Sequence, residues 1–356
     1  MNSLRALGRA LLLFFIRLLY PLAPRPAPQI DPRTLRKVLV VRTDPRVGNV
    51  LLTTPLVRAL VRGLPQARVD WLVAAGKEHL VEGLAGRILP FRKKDFFRAP
   101  LRFRRFVRQL RAEGYDVVLE AGHWHAFSLT SLWLTRATGA PVRIGHARGE
   151  SGRFLTHPVE HDPRIEREVP AKLELLGPLG LPAAGEDLET TVDGSEAARA
   201  EAAAVLSGLE RVAAINPGAR KADHRWAPEA FGRLAQKLAQ DLSLTPLVLW
   251  GPGEVEVARE VVAASQGAAR LAPPTGLAAL AGVFRRSALV VTNDTGPMHL
   301  AVATGVPVVA VLLADDGARW SHLGRFIGVP VSRRLVEEDV AKVADAARTL
   351  VAEVKR

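Results

Sequence analysis

Val290-Val-Thr-Asn-Asp-Thr-Gly-Pro-Met-His-Leu-Ala-Val-Ala-Thr-Gly-Val-Pro-Val-Val-Ala-Val311 runs a β-branched strand into a polar turn, a helix-like segment and a second apolar strand. The turn, Asn293-Asp294-Thr295-Gly296, stands where the first strand ends, and Gly305-Val306-Pro307 leads into the strand at Val308–Leu313. A strand–turn–helix–strand unit of this kind belongs to a parallel α/β sheet. Ligands of open sheets bind at the carboxyl ends of strands, where helix N-termini and loop amides converge on anions. A plain capped helix start, with Asp294 or Thr295 satisfying free amides, accounts for the same residues without a ligand.

Further out lie Val38-Leu-Val-Val-Arg-Thr43, Gly48-Asn-Val-Leu-Leu-Thr-Thr-Pro-Leu-Val-Arg-Ala-Leu60, Tyr115-Asp-Val-Val-Leu-Glu120, Ala214-Ile-Asn-Pro-Gly-Ala-Arg220 and Arg225-Trp226. Together with Thr292–Ala301 and Gly305–Ala310, in this order, they resemble the family 9 glycosyltransferases, the ADP-heptose:lipopolysaccharide heptosyltransferases. The resemblance runs from Lys37 to Gly324.

At 356 residues the chain can hold two ordinary domains, and 48% hydrophobic with 24% charged residues describes a folded protein. The absence of cysteine excludes disulfides, thiolate metal sites and thiol catalysis. A net charge of +13 favours anionic partners: nucleic acid, an acidic membrane surface or a phosphorylated glycolipid. A solvated basic surface would give the same charge. Near the start, Leu11–Tyr20 is strongly apolar, with Arg5, Arg9 and Arg17 in one helical sector and Leu4, Leu7, Leu11, Phe14, Leu18 and Leu22 opposite. Pro21 and Pro24 stop this helix, which is shorter than the roughly 20 apolar residues of a spanning segment. It reads as an amphipathic helix in the membrane interface; a signal-like or spanning segment and a helix packed on the protein are the alternatives.

Residues 1–32 thus comprise the amphipathic helix and a proline-rich linker. From Lys37 the expected strands are Val38–Arg42, Val69–Val73, Ile88–Pro90, Val117–Leu119 and Val142–Ile144. Helices are expected over Leu51–Gly63, Lys77–Gly83, Leu101–Glu113, Ala126–Thr138 and Leu173–Leu179. Beyond the polar connector Pro182–Glu189, strands at Ala213–Asn216, Leu247–Trp250, Leu289–Thr292 and Val308–Leu312 alternate with helices at Pro228–Asp241, Val255–Ala264 and Leu277–Arg285. The alternation predicts an α/β protein of two Rossmann-like domains, 33–186 and 187–335, with parallel sheets facing a cleft and a helical tail over 336–356. That is the GT-B architecture, which the family resemblance also implies.

In the loop Asn216–Lys221, Gly218 permits close backbone approach and Arg220 can grip a phosphate. The resemblance implies that this loop, with His224 and Arg225, joins Asp294, Thr295, Gly296 and His299 in binding the diphosphate and sugar of a nucleotide-sugar donor. Glu254 ends Trp250-Gly-Pro-Gly-Glu254 and either accepts from a ribose hydroxyl or serves a helix start. No carboxylate pair has a convincing metal-binding spacing, Asp315-Asp316 included, and His123-Trp-His125 needs further ligands to make a metal site. The resemblance implies inverting transfer with no obligatory metal or cofactor.

Inverting transfer requires a general base for the acceptor hydroxyl. The resemblance implies an aspartate directly after the glycine of the first loop, where this chain has Asn49, and an amide is no base. Asp44 is the candidate substitute, though it also suits a turn cap beside Pro45. Proton loss to water, or a catalytically silent relative that binds nucleotide sugar or glycolipid without transfer, are the other readings. His224 stands where the family has a lysine, and Leu312-Leu-Ala-Asp-Asp316 replaces a Phe-Gly-Pro-Thr turn, which leaves open a transferase using a different nucleotide sugar.

Between Arg87 and Arg111 a dense run of basic residues, including Arg92, Lys93 and Arg98, interleaves with Phe91, Phe96, Phe97, Phe103 and Phe106. Arginine forks suit phosphates and carboxylates, and phenylalanines suit lipid. No nucleic-acid-binding module surrounds the run, so an anionic glycolipid is the preferred acceptor and nucleic acid is not expected as a partner. Taken with the amphipathic start, the resemblance implies a cytoplasmic enzyme, peripherally attached to the inner-membrane surface, that moves heptose from ADP-heptose to a lipopolysaccharide core.

Overall fold

The computed structural model describes residues 29–313 and 317–353, with Leu18 and Ala27. The helix expected over residues 4–22 lies, Leu18 apart, outside the described residues, as do Asp315 and Asp316. Among the described residues no helix is long and apolar enough to cross a membrane.

In chain order come β1 (Lys37–Arg42), α1 (Val47–Leu51), α2 (Thr54–Gly63), β2 (Arg68–Ala74), β3 (Ile88–Phe91), α3 (Asp95–Arg98), α4 (Pro100–Ala112), β4 (Val117–Glu120), α5 (Leu129–Ala137), β5 (Val142–His146), β6 (His157–Val159) and α6 (Glu168–Leu173). Then follow α7 (Glu196–Val205), β7 (Val212–Asn216), α8 (Pro228–Leu242), β8 (Thr245–Val248), α9 (Val255–Ala264), β9 (Arg270–Leu271), α10 (Leu277–Arg286), β10 (Leu289–Asn293), α11 (Gly296–Ala303), β11 (Val308–Leu312), β12 (Phe326–Pro330) and α12 (Glu337–Glu353). Contacts divide the chain into two units. The first comprises Thr53–Glu78 and Glu82–Gly185 with the chain up to Pro45; the second comprises Glu186–Arg356 with Arg46–Leu52 and His79–Val81.

Each unit is a six-stranded sheet, ordered β3-β2-β1-β4-β5-β6 in the first and β12-β11-β10-β7-β8-β9 in the second. The pairings are parallel throughout. Both sheets begin in the middle, build outward to one side, then return and build to the other. The chain therefore diverges at the carboxyl ends of β1 and β4, and again at those of β7 and β10. These are topological switch points, where open α/β sheets bind ligands. Central strands such as β7 and β10 are buried at every residue, because helices cover both sheet faces.

Three short edge strands escape a reading by apolar pattern: β6, β9 and β12 are largely exposed or half-buried, and β6 and β12 contain Pro158 and Pro330. Proline lacks an amide to donate, and edge strands tolerate that most readily. The helix expected over Leu51–Gly63 starts at Thr54, and a separate short helix, α1, ends at Leu51. Pro55, in the first turn of α2, cannot donate to a preceding carbonyl, so α1 and α2 meet at a break. Lys77–Gly83 forms only a 3-10 turn at Glu78–Leu80, and the helix expected over Leu173–Leu179 is a 3-10 segment from Glu174 that contains Pro178.

In the first unit, Leu39, Val41, Leu72 and Val118 of the sheet pack beneath Phe103 and Leu110 of α4 and Leu134 of α5. Its amino-terminal edge is fixed by charge. Asp70, fully buried, accepts from Arg68, Arg87 and the Tyr115 hydroxyl, the last at 2.8 Å. In the second unit, Trp226, Phe231, Leu234 and Leu238 join Val340, Val343, Ala347 and Leu350 of α12 against the sheet. Phe231→Ala is expected to destabilise the second unit by about 3–5 kcal/mol, through lost burial and a residual cavity. A urea-unfolding midpoint equal to wild type would contradict this packing.

Candidate active site

At the switch point of the second sheet, Asn216 ends β7 and Asn293 ends β10, with Thr292 paired to Asn216 across the ladder. The Asn293 amide clamps both ends of the connection from β7 to α8. Its Nδ2 donates to the Pro217 carbonyl (2.7 Å), and its Oδ1 accepts from the Trp226 amide (3.1 Å). Trp226 is fully buried and meets Phe231 edge-on at 5.0 Å, so the clamp rests on the core. Arg225 turns back, its Nε donating to the Ala219 carbonyl (2.7 Å). Arg220 is exposed, while His224 and Arg225 are half-buried.

Gly218 lies close against Glu254: a Cβ there would come within 2.0 Å of Oε2, and that carboxylate would have to swing away. That same oxygen accepts from the Gly251 amide (3.1 Å) at the start of α9. Glu254 thus serves its local turn and also stands directly against the Asn216–Arg220 loop.

Across the switch point, Asp294, Thr295, Gly296 and Pro297 are half-buried within a surround of buried residues. Thr295 is extended, and its hydroxyl donates to the Asn293 carbonyl (3.3 Å) instead of capping α11. The capping alternative is therefore incorrect for Thr295. With the helix dipole, the amide end of α11 favours an anion at this turn. His299 is buried, its Nδ1 2.9 Å from Nε2 of His322. A Cβ on Gly48 would come within 2.3 Å of His299 Cδ2, so only glycine lets α1 lie this close to α11. Asn49 follows in α1 and is buried.

The switch point of the first sheet carries a buried chain of charges. Arg42, at the end of β1, donates to the Ala121 carbonyl (3.0 Å) and to His123 Nε2 (2.8 Å). An arginine can only donate, so the imidazole proton sits on Nδ1 and is donated to Glu168 (2.6 Å). Lys172, on the next turn of α6, holds the same carboxylate oxygen at 2.7 Å. Burial pushes His123 down to about 4, against the pull of Glu168. Burial likewise lowers Lys172 to about 8, and the charge of Glu168 opposes it. Burial alone would raise Glu168, but Lys172 and His123 outweigh it and hold the carboxyl well below its usual range. Asp44, half-buried in the loop after β1, lies within the field of Arg42.

Arg92, Lys93 and Arg98 are exposed beyond the end of β3, two strands from β1 and so about 10 Å along the sheet. The fold does not bring them to the switch point beside Asp44. Among the described residues, two side-chain groups have the composition of metal sites: His123, His125 and Glu168, and His146, His161 and Glu174. In the first, the cations Arg42 and Lys172 already occupy His123 and Glu168. In the second, one oxygen of Glu174 bridges His146 Nε2 (3.2 Å) and His161 Nδ1 (2.8 Å), and Trp124 stacks on His161. Sequence reasoning gave no role to Asn293, Glu168, Lys172 or His322. Asn293 stood in the quoted turn, but its partners are 67 and 76 residues away and leave no local pattern.

Two Rossmann-like α/β units of this kind define the GT-B class of glycosyltransferase fold. The profile of glycosyltransferase family 9 (heptosyltransferase) matches residues 103–337, and the chain belongs to that family. It is similar to lipopolysaccharide heptosyltransferase 1 of Pseudomonas aeruginosa, 28% identical over 77% of this chain and 78% of the relative. Among solved structures, a family 9 glycosyl transferase from Veillonella parvula superposes with a TM-score of 0.74 at 20% identity, covering 91% of this chain and 99% of that one. The E. coli heptosyltransferase WaaC with ADP-2-deoxy-2-fluoro heptose gives 0.66 at 22% identity, covering 89% and 99%. The protein is a glycosyltransferase.

Asn293→Ala leaves the Trp226 amide and the Pro217 carbonyl without their buried partner, at a cost of about 1–3 kcal/mol. The expected result is a raised KM for the donor together with lower stability; an unchanged KM would remove the clamp from any role in binding. His123 also makes stability depend on pH. Between about pH 6.5 and about 4 the unfolded chain takes up a proton that the folded one refuses. Stability present above pH 6.5 is therefore lost on acidification, by up to about 3 kcal/mol. Urea midpoints of His123→Gln should fall less over that window than those of wild type, and parallel curves would contradict the assignment.

Proposed function

We propose that the enzyme is an inverting heptosyltransferase that moves heptose from ADP-heptose to a lipopolysaccharide-core acceptor at the cytoplasmic face of the inner membrane. The relatives are named as lipopolysaccharide heptosyltransferases, and a neighbour of the same fold holds ADP-2-deoxy-2-fluoro heptose. The observation that carries the reading is the meeting of Asn216–Arg220 and Asp294–His299 at one switch point, held together by Asn293. In the proposed reaction, the α11 amides and Arg220 meet the donor diphosphate. The acceptor hydroxyl attacks the anomeric carbon as the bond to the diphosphate breaks, and ADP leaves with that electron pair. Asp44 takes the hydroxyl proton, with the Arg42 guanidinium close by. Arg92, Lys93 and Arg98 meet the outer anionic groups of the glycolipid. With charge compensation supplied by amides and arginine, no obligatory metal is invoked, and transfer is expected to persist in EDTA.

Asn49 supports a second reading. A buried amide at the family's base position suits a member that binds nucleotide sugar or glycolipid without transfer. ADP release from ADP-heptose, with a deacylated inner-core acceptor, separates the two. Release by wild type, lost by at least about 100-fold in Asp44→Asn, is the expected outcome. Activity found only in Asn49→Asp would mean lapsed chemistry on an intact donor site, and silence in all variants would redirect the search to another nucleotide sugar or acceptor.

A further inference from the structure

We propose that the face formed by α3 and α4 docks onto a bilayer containing anionic phospholipid, with Phe97 and Leu101 entering the interface and the arginines of α4 meeting lipid phosphates. The proposal rests on the membrane location given above and adds the surface that makes the contact. Phe97 and Leu101 are 80% and 79% exposed, and Phe96 between them and the core is 52% exposed. They are the apolar end of an ordered aromatic stack. Phe96 meets Phe97 edge-on at 4.7 Å and Phe103 edge-on at 5.2 Å, and Phe103 stacks on Trp133 of α5 at 5.8 Å. The protruding rings are thus held by the core. A contiguous exposed apolar patch with a charged rim is the usual mark of an interaction surface.

The rim is nearly all of one sign. Among the described residues, none of Arg92, Lys93, Lys94, Arg98, Arg104 and Arg108 lies within ion-pair distance of a carboxylate, while Asp95 meets Arg102 only at 3.9 Å. On α4, Leu101, Arg104, Arg108 and Arg111 follow at helical spacing along the exposed side, while Phe103 and Leu110 are buried. Between α4 and α5 a groove of about 820 Å³ has a floor of Phe103, Val107 and Trp133 beneath Arg104, Arg108 and Arg111. An apolar floor under a cationic rim fits an anionic amphiphile, with phosphate at the rim and the first chain carbons below. Nucleic acid would meet the arginines and stack on Phe97, but it would leave the aliphatic Leu101 in water. A soluble anion would leave Phe97 and Leu101 in water.

Co-sedimentation of the full chain with vesicles tests this, using phosphatidylcholine alone or mixed with phosphatidylglycerol. Wild type is expected to bind the mixed vesicles, more weakly as salt rises, and to bind phosphatidylcholine poorly. Phe97→Ser/Leu101→Ser and Arg104→Glu/Arg108→Glu should each bind at least about tenfold more weakly, with unchanged circular dichroism and thermal midpoints. Equal binding by wild type and both variants would overturn the proposal and place membrane contact elsewhere in the chain. So would the absence of vesicle binding by wild type, or preferential binding of an oligonucleotide that depends on Arg104 and Arg108. ADP release with the water-soluble acceptor is read in parallel: transfer without vesicle binding overturns the docking surface and leaves the transferase reading standing.

Discussion

The second unit depends on one amide. Asn293 lies at the end of a strand whose every residue is buried, so its side chain cannot turn to water and must find its partners inside. It finds them at the two ends of the connection that leaves the neighbouring strand, the Pro217 carbonyl and the Trp226 amide. A buried amide bonded through both its nitrogen and its oxygen fixes geometry more firmly than an apolar contact, because any displacement strands a polar group. The consequences extend in both directions. Trp226 ties the clamp to the core beneath α8 and α12, while Pro217 holds the loop in which Gly218 admits Glu254. The surface at the switch point is therefore pre-set by interior bonds.

The first unit holds its switch point by a different means. Arg42, His123, Glu168 and Lys172 alternate donor and acceptor through the interior, ending near the loop that bears Asp44. Such chains are costly to leave incomplete, since removal of one member leaves a buried charge unpaired. A neutral imidazole between a guanidinium and a carboxylate transmits orientation without itself changing charge near neutral pH. The role that follows for His123 is positional: it sets where Arg42 lies, and Arg42 in turn sets the field around Asp44.

How much of this was legible in the sequence follows from burial and distance. Val38–Arg42 and Leu289–Thr292 could be read as strands because strands covered on both faces are nearly continuous apolar runs. The polar turn after β10 was legible because its residues are contiguous, and through them the family. The edge strands β6, β9 and β12 were not, since half-covered strands need no apolar run and tolerate proline. The break between α1 and α2 was hidden because the apolar pattern continues through Pro55. The charge network escaped for a plainer reason: Glu168 is 45 residues from His123, and only the return of the chain beneath β4 makes them neighbours.

The grouping of α1 with α11 bears on synthesis. Val50, Leu51 and Leu52 leave the ribosome early, yet the helix that α1 packs against is made near the end of the chain. The first sheet is complete once β6 has emerged, while this short apolar segment still lacks its cover. A nascent or truncated chain ending in the connector near Gly185 therefore displays a sticky surface that the finished protein hides. Vectorial production makes the second half a guardian of the first half's solubility, and release before α11 is made exposes the chain to chaperone capture or aggregation.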